Sequence, residues 1–276
     1  MRVDLQRFGV LVDGPEGVIR ALMGSGRTRK SPEPKFAPFT RVLVHHSKVR
    51  PDPVFGPLIV AIASYAHKRS FDLTRAEADA LSAWALLANA KGRYSRGSTE
   101  TILDQDLAII RDGGSVHDLT ERLRQQVGSL TISPEELEGR NQRSALFKTM
   151  FMAFRAAGAK DWKSNLSIAF DHSGVQHKLQ FHHIFPKALL KSTYSSREAD
   201  DIANLCFISG KTNRNISDKS PADYFPALIE SAGQSAFDSQ CIPTDPRLLK
   251  TENYKEFLSA RRKLIATRLN DFLAAL

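Results

Sequence analysis

The stretch FHHIFPKALLKSTYSSREADDIANLCFISGKTNRNISDKSPADY, residues 181–224, decides how the rest of the chain is read. Lys178 to Phe181 and Asn204 to Ile208 are short β-prone runs bounded by turn formers, so each reads as a strand. Between them Pro186 bars strand pairing, and Ala188, Leu189 and Leu190 suggest a single helical turn. Ser209 and Gly210 break the second run, and Lys211 to Asn215 reads as the start of a helix. The expectation is a hairpin followed by a helix. His182 and His183 then stand at the end of one strand, Asn204 in the other and Asn213 on the helix.

The residue types in this order suit phosphodiester hydrolysis. Water must lose a proton as it attacks, and a neutral histidine is the usual acceptor. Negative charge builds on the phosphoryl and leaving oxygens, where a divalent cation meets it most directly. His183 is the expected base, and His182 with the amide oxygen of Asn213 the expected metal donors. Adjacent strand residues face opposite sides, so both imidazoles can serve one site only at a strand end or a bulge.

HHIFPK at 182–187, Asn204, and TNRNISDKSP at 212–221 together resemble the HNH, or ββα-metal, endonucleases, in the variant found in the C-terminal half of GmrSD-type modification-dependent restriction enzymes. The resemblance implies His182 and Asn213 as metal ligands and His183 as general base. Asn204 is similar to the family's structural Asn, which completes the catalytic set by bracing the loop between strand and helix. Lys187, Lys211, Arg214 and Lys219 are the expected nucleic-acid contacts. His182 stands where the RNA-guided HNH nucleases carry Asp; this softer ligand leaves Mg²⁺ as the first expectation with Mn²⁺ or a transition metal open. The resemblance runs strongly across 181–225 and weakly from about Pro57, where GRYSRGSTETILDQDL at 92–107 also resembles the helical region that precedes the nuclease motif. It further implies DNA as substrate, restriction of foreign or modified DNA as the role, and a nucleotide-dependent subunit or domain as partner. The hallmark motif of that nucleotide-dependent half is absent from this sequence.

Composition bounds these expectations. The chain has 276 residues, 42% hydrophobic and 25% charged, which is globular. No run approaches the roughly 18 apolar residues of a membrane span, and the N-terminus lacks a signal-peptide core, so no membrane partner and a cytoplasmic location are expected. Two cysteines, Cys206 and Cys241, exclude a disulfide framework and a four-thiolate zinc site. The net charge of +9 permits nucleic-acid binding. Its placement is uneven: residues 1–50 carry ten Lys/Arg against four Asp/Glu, while residues 51–176 balance at fifteen each. Gly24 to Pro32 reads as a flexible basic linker.

Helical signals fill the middle of the chain. Pro57 to Ala66 is an apolar run too long for a typical strand. Thr74 and Glu77 form a capping-box pattern ahead of a stripe of Leu81, Trp84, Leu87 and Ala88. Helices are also expected from Ser98, from Ser115 and from Ser133-Pro134, then across Leu146, Phe147, Met150, Phe151 and Phe154 up to Gly158. Arg93 and Arg96 read as surface arginines, with phosphate contact as the alternative. His172 and His177 precede the His182-His183 pair, so a four-histidine zinc cluster was weighed; no Cys or helical spacing supports it. His45-His46 has no matching Asn pair downstream. A short helix from Ser220-Pro221 and a closing helix from Thr251 to Ala275 follow the site, the latter with Arg261 to Lys263 on its wet side.

The fold expected is mainly α with a small α+β module: a helical domain plus a ββα-metal (HNH) nuclease motif. Its parts are a basic segment 1–50, a helical domain 51–176, the module 177–225 and C-terminal helices 226–276 packing on it. The function expected is a metal-dependent DNA endonuclease; the alternative is a non-catalytic DNA-binding or partner-docking module that keeps the same fold.

Overall fold

The computed structural model describes residues 55–168 and 179–275. The basic segment 1–50 with its linker and His45-His46, and the segment bearing His172 and His177, lie outside the described residues. The described chain is mainly helical with one two-stranded antiparallel sheet. It divides into two compact units at Leu130/Thr131, inside the stretch 51–176 that the sequence groups as one helical domain. None of its described helices is long and apolar enough to cross a membrane.

The first unit contains α1 (Phe55–Lys68), α2 (Arg75–Ala90), α3 (Thr99–Arg111) and α4 (Val116–Val127). Thr74 and Glu77 form the expected reciprocal cap on α2, Ser115 and Asp118 form another on α4, and Ser98 caps α3. Leu81, Trp84, Leu103, Leu107, Leu119 and Leu123 are buried; on α2 it is Leu86 rather than Leu87 that joins them. Arg93 differs more. It is 1% exposed, ion-paired through two nitrogens to the buried Asp106, whose Oδ2 also accepts from the Tyr94 hydroxyl at 2.7 Å. The buried carboxylate draws Arg93 inward, because a lone buried charge would be far worse than a paired one.

The second unit holds the sheet. The start signal at Ser133 yields only a 3₁₀ turn, Glu135–Leu137. Glu136 does bond back to the Ser133 amide. Tertiary bonds then pull the backbone out of helix: Gly139 adopts φ 65° and donates to Asp201, and Ile202 donates to the Arg140 carbonyl. Helix α5 (Ala145–Ala156) lays Phe147, Phe151 and Phe154 against Phe207, with ring centroids 5.1, 5.2 and 6.0 Å away.

Strand β1 (Leu179–His183) pairs with β2 (Leu205–Ser209) in register from Leu179 opposite Ser209 to His183 opposite Leu205. Every residue of β2 is buried. Between the strands lie the short helices α6 (Lys187–Leu190) and α7 (Ser196–Ala199) and a 3₁₀ turn, Ile202–Asn204. Asn204 therefore ends that turn and does not belong to the second strand. After β2 come α8 (Gly210–Ile216), α9 (Pro221–Ala232), the unforeseen α10 (Gln234–Asp238) and α11 (Tyr254–Ala274).

Helix α11 does not present the face expected of it. Leu264 is 46% exposed, while Arg261 is fully buried and donates to the carbonyls of Ala203, Cys241 and Gln240. Arg262 pairs with buried Asp201 at 2.6 Å. These two arginines satisfy buried backbone oxygens and a carboxylate beside the 3₁₀ turn, so only Lys263 of the trio is left to the wet side.

Candidate functional site

The site lies where β1 ends and α8 begins. Strand alternation puts Phe181 with Phe207, toward α5, and His182 with Cys206 on the other side, near Tyr224. Helix α8 follows β2 directly, which carries Asn213 over the end of the hairpin. Asn213 Oδ1 stands 2.7 Å from His182 Nδ1. An amide oxygen only accepts, so Nδ1 carries the proton and donates. Asn213 Nδ2 donates in turn to Gln180 Oε1 at 2.6 Å, which fixes the amide with its oxygen toward the histidine.

His182 is 4% exposed, and its Nε2 is buried with no hydrogen-bond partner among the described residues. Burial pushes its pKa down to about 4, against the raising effect of the Asn213 hydrogen bond and with a smaller lowering by the charge of His183. The imidazole is therefore neutral at physiological pH, the form in which it can ligate a metal.

His183 is the last paired residue of β1, and the register reaches it without a bulge. Its Nε2 lies 2.9 Å from Asp200 Oδ1, an oxygen that also takes the Lys187 ammonium at 2.7 Å. Lys187, expected as a nucleic-acid contact, is thus ion-paired. Lys211, Arg214 and Lys219 are exposed on and just after α8.

Asn204 holds the chain as it leaves the strand. Its Oδ1 accepts from the Phe185 amide at 2.8 Å, its Nδ2 donates to the carbonyls of Phe185 and Ala199 at 3.0 Å each, and its own carbonyl accepts from Ile184 at 2.8 Å. It touches no side chain of the His182–Asn213 pair in these bonds. Tyr224 adds a hydroxyl bond to the Ile184 carbonyl at 3.0 Å.

Three residues here carry no sequence signal of their role. Asp200 sits in an acidic run and Gln180 in a strand, with nothing in spacing to mark either. Asp161 lies far upstream, yet its carboxylate accepts from the Ser209 amide at 2.6 Å and the Thr212 hydroxyl at 2.8 Å, tying down the first turn of α8. Burial pushes the Asp161 carboxyl up, but the amides of Ser209 and Ser164 and two hydroxyls more than offset this, and it stays below the ordinary range. The Asp161-to-Ser164 turn, in which the Ser164 amide donates to Asp161 at 2.7 Å, is the one feature a sequence reading could have caught.

His182 and Asn213 fit a shared divalent cation. Two donors each about 2.1 Å from one ion and at right angles would lie about 3 Å apart, close to the contact present. Among the described residues no three of His, Cys, Asp and Glu gather at a point. A pair of protein donors suits a cation such as Mg²⁺, which commonly keeps several waters.

No protein-family model matches the chain, and no solved structure matches it. It is similar to an uncharacterized protein of the archaeon Methanocaldococcus jannaschii, at 23% identity over 228 residues, covering 71% of this chain. The chain spans 37% of that relative's length.

Proposed function

We propose that residues 177–225 form an HNH (ββα-metal) endonuclease module that hydrolyses DNA phosphodiester bonds with one divalent cation. The carrying observation is the 2.7 Å contact between His182 and Asn213, which joins strand end and helix at the positions the motif assigns to metal ligands, with His183 next in the chain.

His182 and Asn213 would hold the cation, which when bound supplies positive charge to the phosphoryl and leaving oxygens. His183 takes the proton from the attacking water. Asp200 accepts only, so its contact leaves the proton on His183 Nε2 and the lone pair on Nδ1 for that transfer. Asn204 and Tyr224 hold the backbone just beyond His183, and Asp161 holds the turn that aims Asn213. Lys211, Arg214 and Lys219 bind backbone phosphates. Mg²⁺ is the first assignment, and the nitrogen donor admits Mn²⁺ or a transition metal.

The motif resemblance supports a role in restricting foreign or modified DNA in the cytoplasm, with a nucleotide-dependent subunit or domain as partner. The test is incubation of the purified chain with modified and unmodified plasmid in Mg²⁺, Mn²⁺ or EDTA. Metal-dependent nicking is expected. Binding without cleavage under every metal condition would replace this reading with a docking or DNA-binding role.

A further inference from the structure

Residues 55–130 carry nine Lys/Arg against nine Asp/Glu, so the first unit has no overall charge to attract a polyanion. Its local distribution is another matter. A cavity of about 390 Å³ opens between the loop before α3, α3 itself and α4, and its wall includes Arg96, Ser98, Gln105, Arg122, Gln125 and Gln126 but no carboxylate. Two guanidiniums, three carboxamides and a hydroxyl make a lining rich in donors. In a unit of balanced charge, that exclusion of acids is a selection.

The cavity is also built on fixed supports. Arg93, Tyr94 and Asp106 anchor the loop from beneath. Gln126 accepts from Arg93 Nη1 at 2.7 Å and donates to the Arg93 carbonyl at 3.0 Å, locking α4 to the same loop. Gly92 turns the chain with φ 65°, at a position where a Cβ would come 2.8 Å from Ser95 Oγ. Arg96 Nε is tied to the Lys91 carbonyl at 2.9 Å, and Arg122 Nη1 to Gln125 Oε1 at 3.1 Å. Each guanidinium is held by one edge, which lowers the entropy lost when its remaining N–H groups engage a ligand.

We propose that this cavity is a phosphate-binding site, and that the phosphates are those of a nucleic-acid backbone. Planar guanidiniums match phosphate oxygens in pairs, and the absence of a carboxylate removes the group that would repel them. A free nucleotide has the same phosphate chemistry but needs a surface for its base. Small-molecule sites are lined mainly by apolar and aromatic side chains. Here Ile102 is the sole apolar side chain in the wall and no ring is present. Arg96 and Gln125 are exposed, which suits a strand passing across the opening. The site belongs to the first unit and stands whether or not the module cuts DNA.

The experiment uses the full chain in EDTA, so that cleavage cannot intrude, and follows fluorescence anisotropy of labelled single-stranded and duplex oligonucleotides over a salt series. Arg96→Gln/Arg122→Gln is expected to weaken binding about tenfold near 0.1 M salt and to flatten the log–log salt slope by about one for each arginine lost. Gln105→Glu, which keeps both arginines but adds a carboxylate to the wall, is expected to weaken binding as well, and it decides the matter if circular dichroism shows the double variant unfolded. Adenosine monophosphate and inorganic phosphate serve as competitors. Loss of their binding in the double variant, with oligonucleotide affinity intact, would keep the phosphate site and move its source to free nucleotides. Oligonucleotide and nucleotide binding that neither variant changes would overturn the proposal.

Discussion

The Nε2 of His183 lies 2.9 Å from Oδ1 of Asp200, and that contact decides which edge of the imidazole is left for chemistry. Burial pushes the Asp200 carboxyl up, but the hydrogen bonds from Lys187 and His183 more than offset it, so the group stays ionised well into the acid range. Asp200→Ala frees the ring to rotate and to exchange tautomers. Single-turnover cleavage is expected to slow about 10- to 100-fold with the DNA concentration for half-maximal rate unchanged, because only the proton-transfer geometry is lost. Lys187→Ala, which leaves the Asp200–His183 contact in place, should slow the step less. Wild-type rates in Asp200→Ala would remove Asp200 from the site.

His182 makes stability depend on pH in a defined window. Its folded pKa is about 4, against about 6.5 for an unperturbed histidine. Between these values the unfolded chain binds a proton that the folded chain refuses, so stability falls as pH drops from about 6.5 toward about 4. Outside the window this group contributes no slope. The full span corresponds to about 3 kcal/mol. Urea melts near pH 7 and near pH 4.5 on wild type and His182→Gln check it: wild type should lose more on acidification, and equal losses would show that another group carries the effect.

Asn204→Ala is expected to act on folding. Asn204 is fully buried, and truncation leaves the Phe185 amide and the carbonyls of Phe185 and Ala199 without their partner. An unpaired buried polar group costs about 1–3 kcal/mol, so the variant should lose about 3 kcal/mol or more in a urea melt. A variant that melts like wild type yet fails to cleave would instead place Asn204 in the chemistry.

Much of this architecture is legible in the residues because local rules agree with the tertiary outcome. The Thr74 and Ser115 caps, the β-prone runs on either side of Pro186 and the Ser209-Gly210 break all act within a few residues of themselves. The misreadings share the opposite cause. At Ser133 a sound helix start loses to the bonds that Gly139 and Ile202 make across sequence. Arg93 and Arg261 read as wet arginines because nothing near them in sequence announces the buried Asp106 or the unpaired carbonyls that they serve. The same limit applies at the site: the His182, His183 and Asn213 pattern is visible, whereas Asp161 and Asp200 work across 48 and 17 residues of chain.

The sharpest test separates the two histidines. His183 acts only as the proton leaves water, so His183→Ala should lower the cleavage rate by about 10²–10⁴ while DNA binding is kept. His182→Ala and Asn213→Ala remove a ground-state donor instead. Their loss should appear as a rightward shift in the metal titration, and excess Mn²⁺ should restore part of the rate. Mn²⁺ should not restore His183→Ala, since a stronger metal site does not supply a proton acceptor. Asn213→Asp sharpens the contrast: it keeps an oxygen beside His182 Nδ1 and adds a charge, so its metal requirement should fall below that of Asn213→Ala. All variants should bind DNA less tightly as salt rises, because the phosphate contacts of Lys211, Arg214 and Lys219 are common to them. Equal cleavage by wild type and His183→Ala across the titration would show that the activity arises from another group.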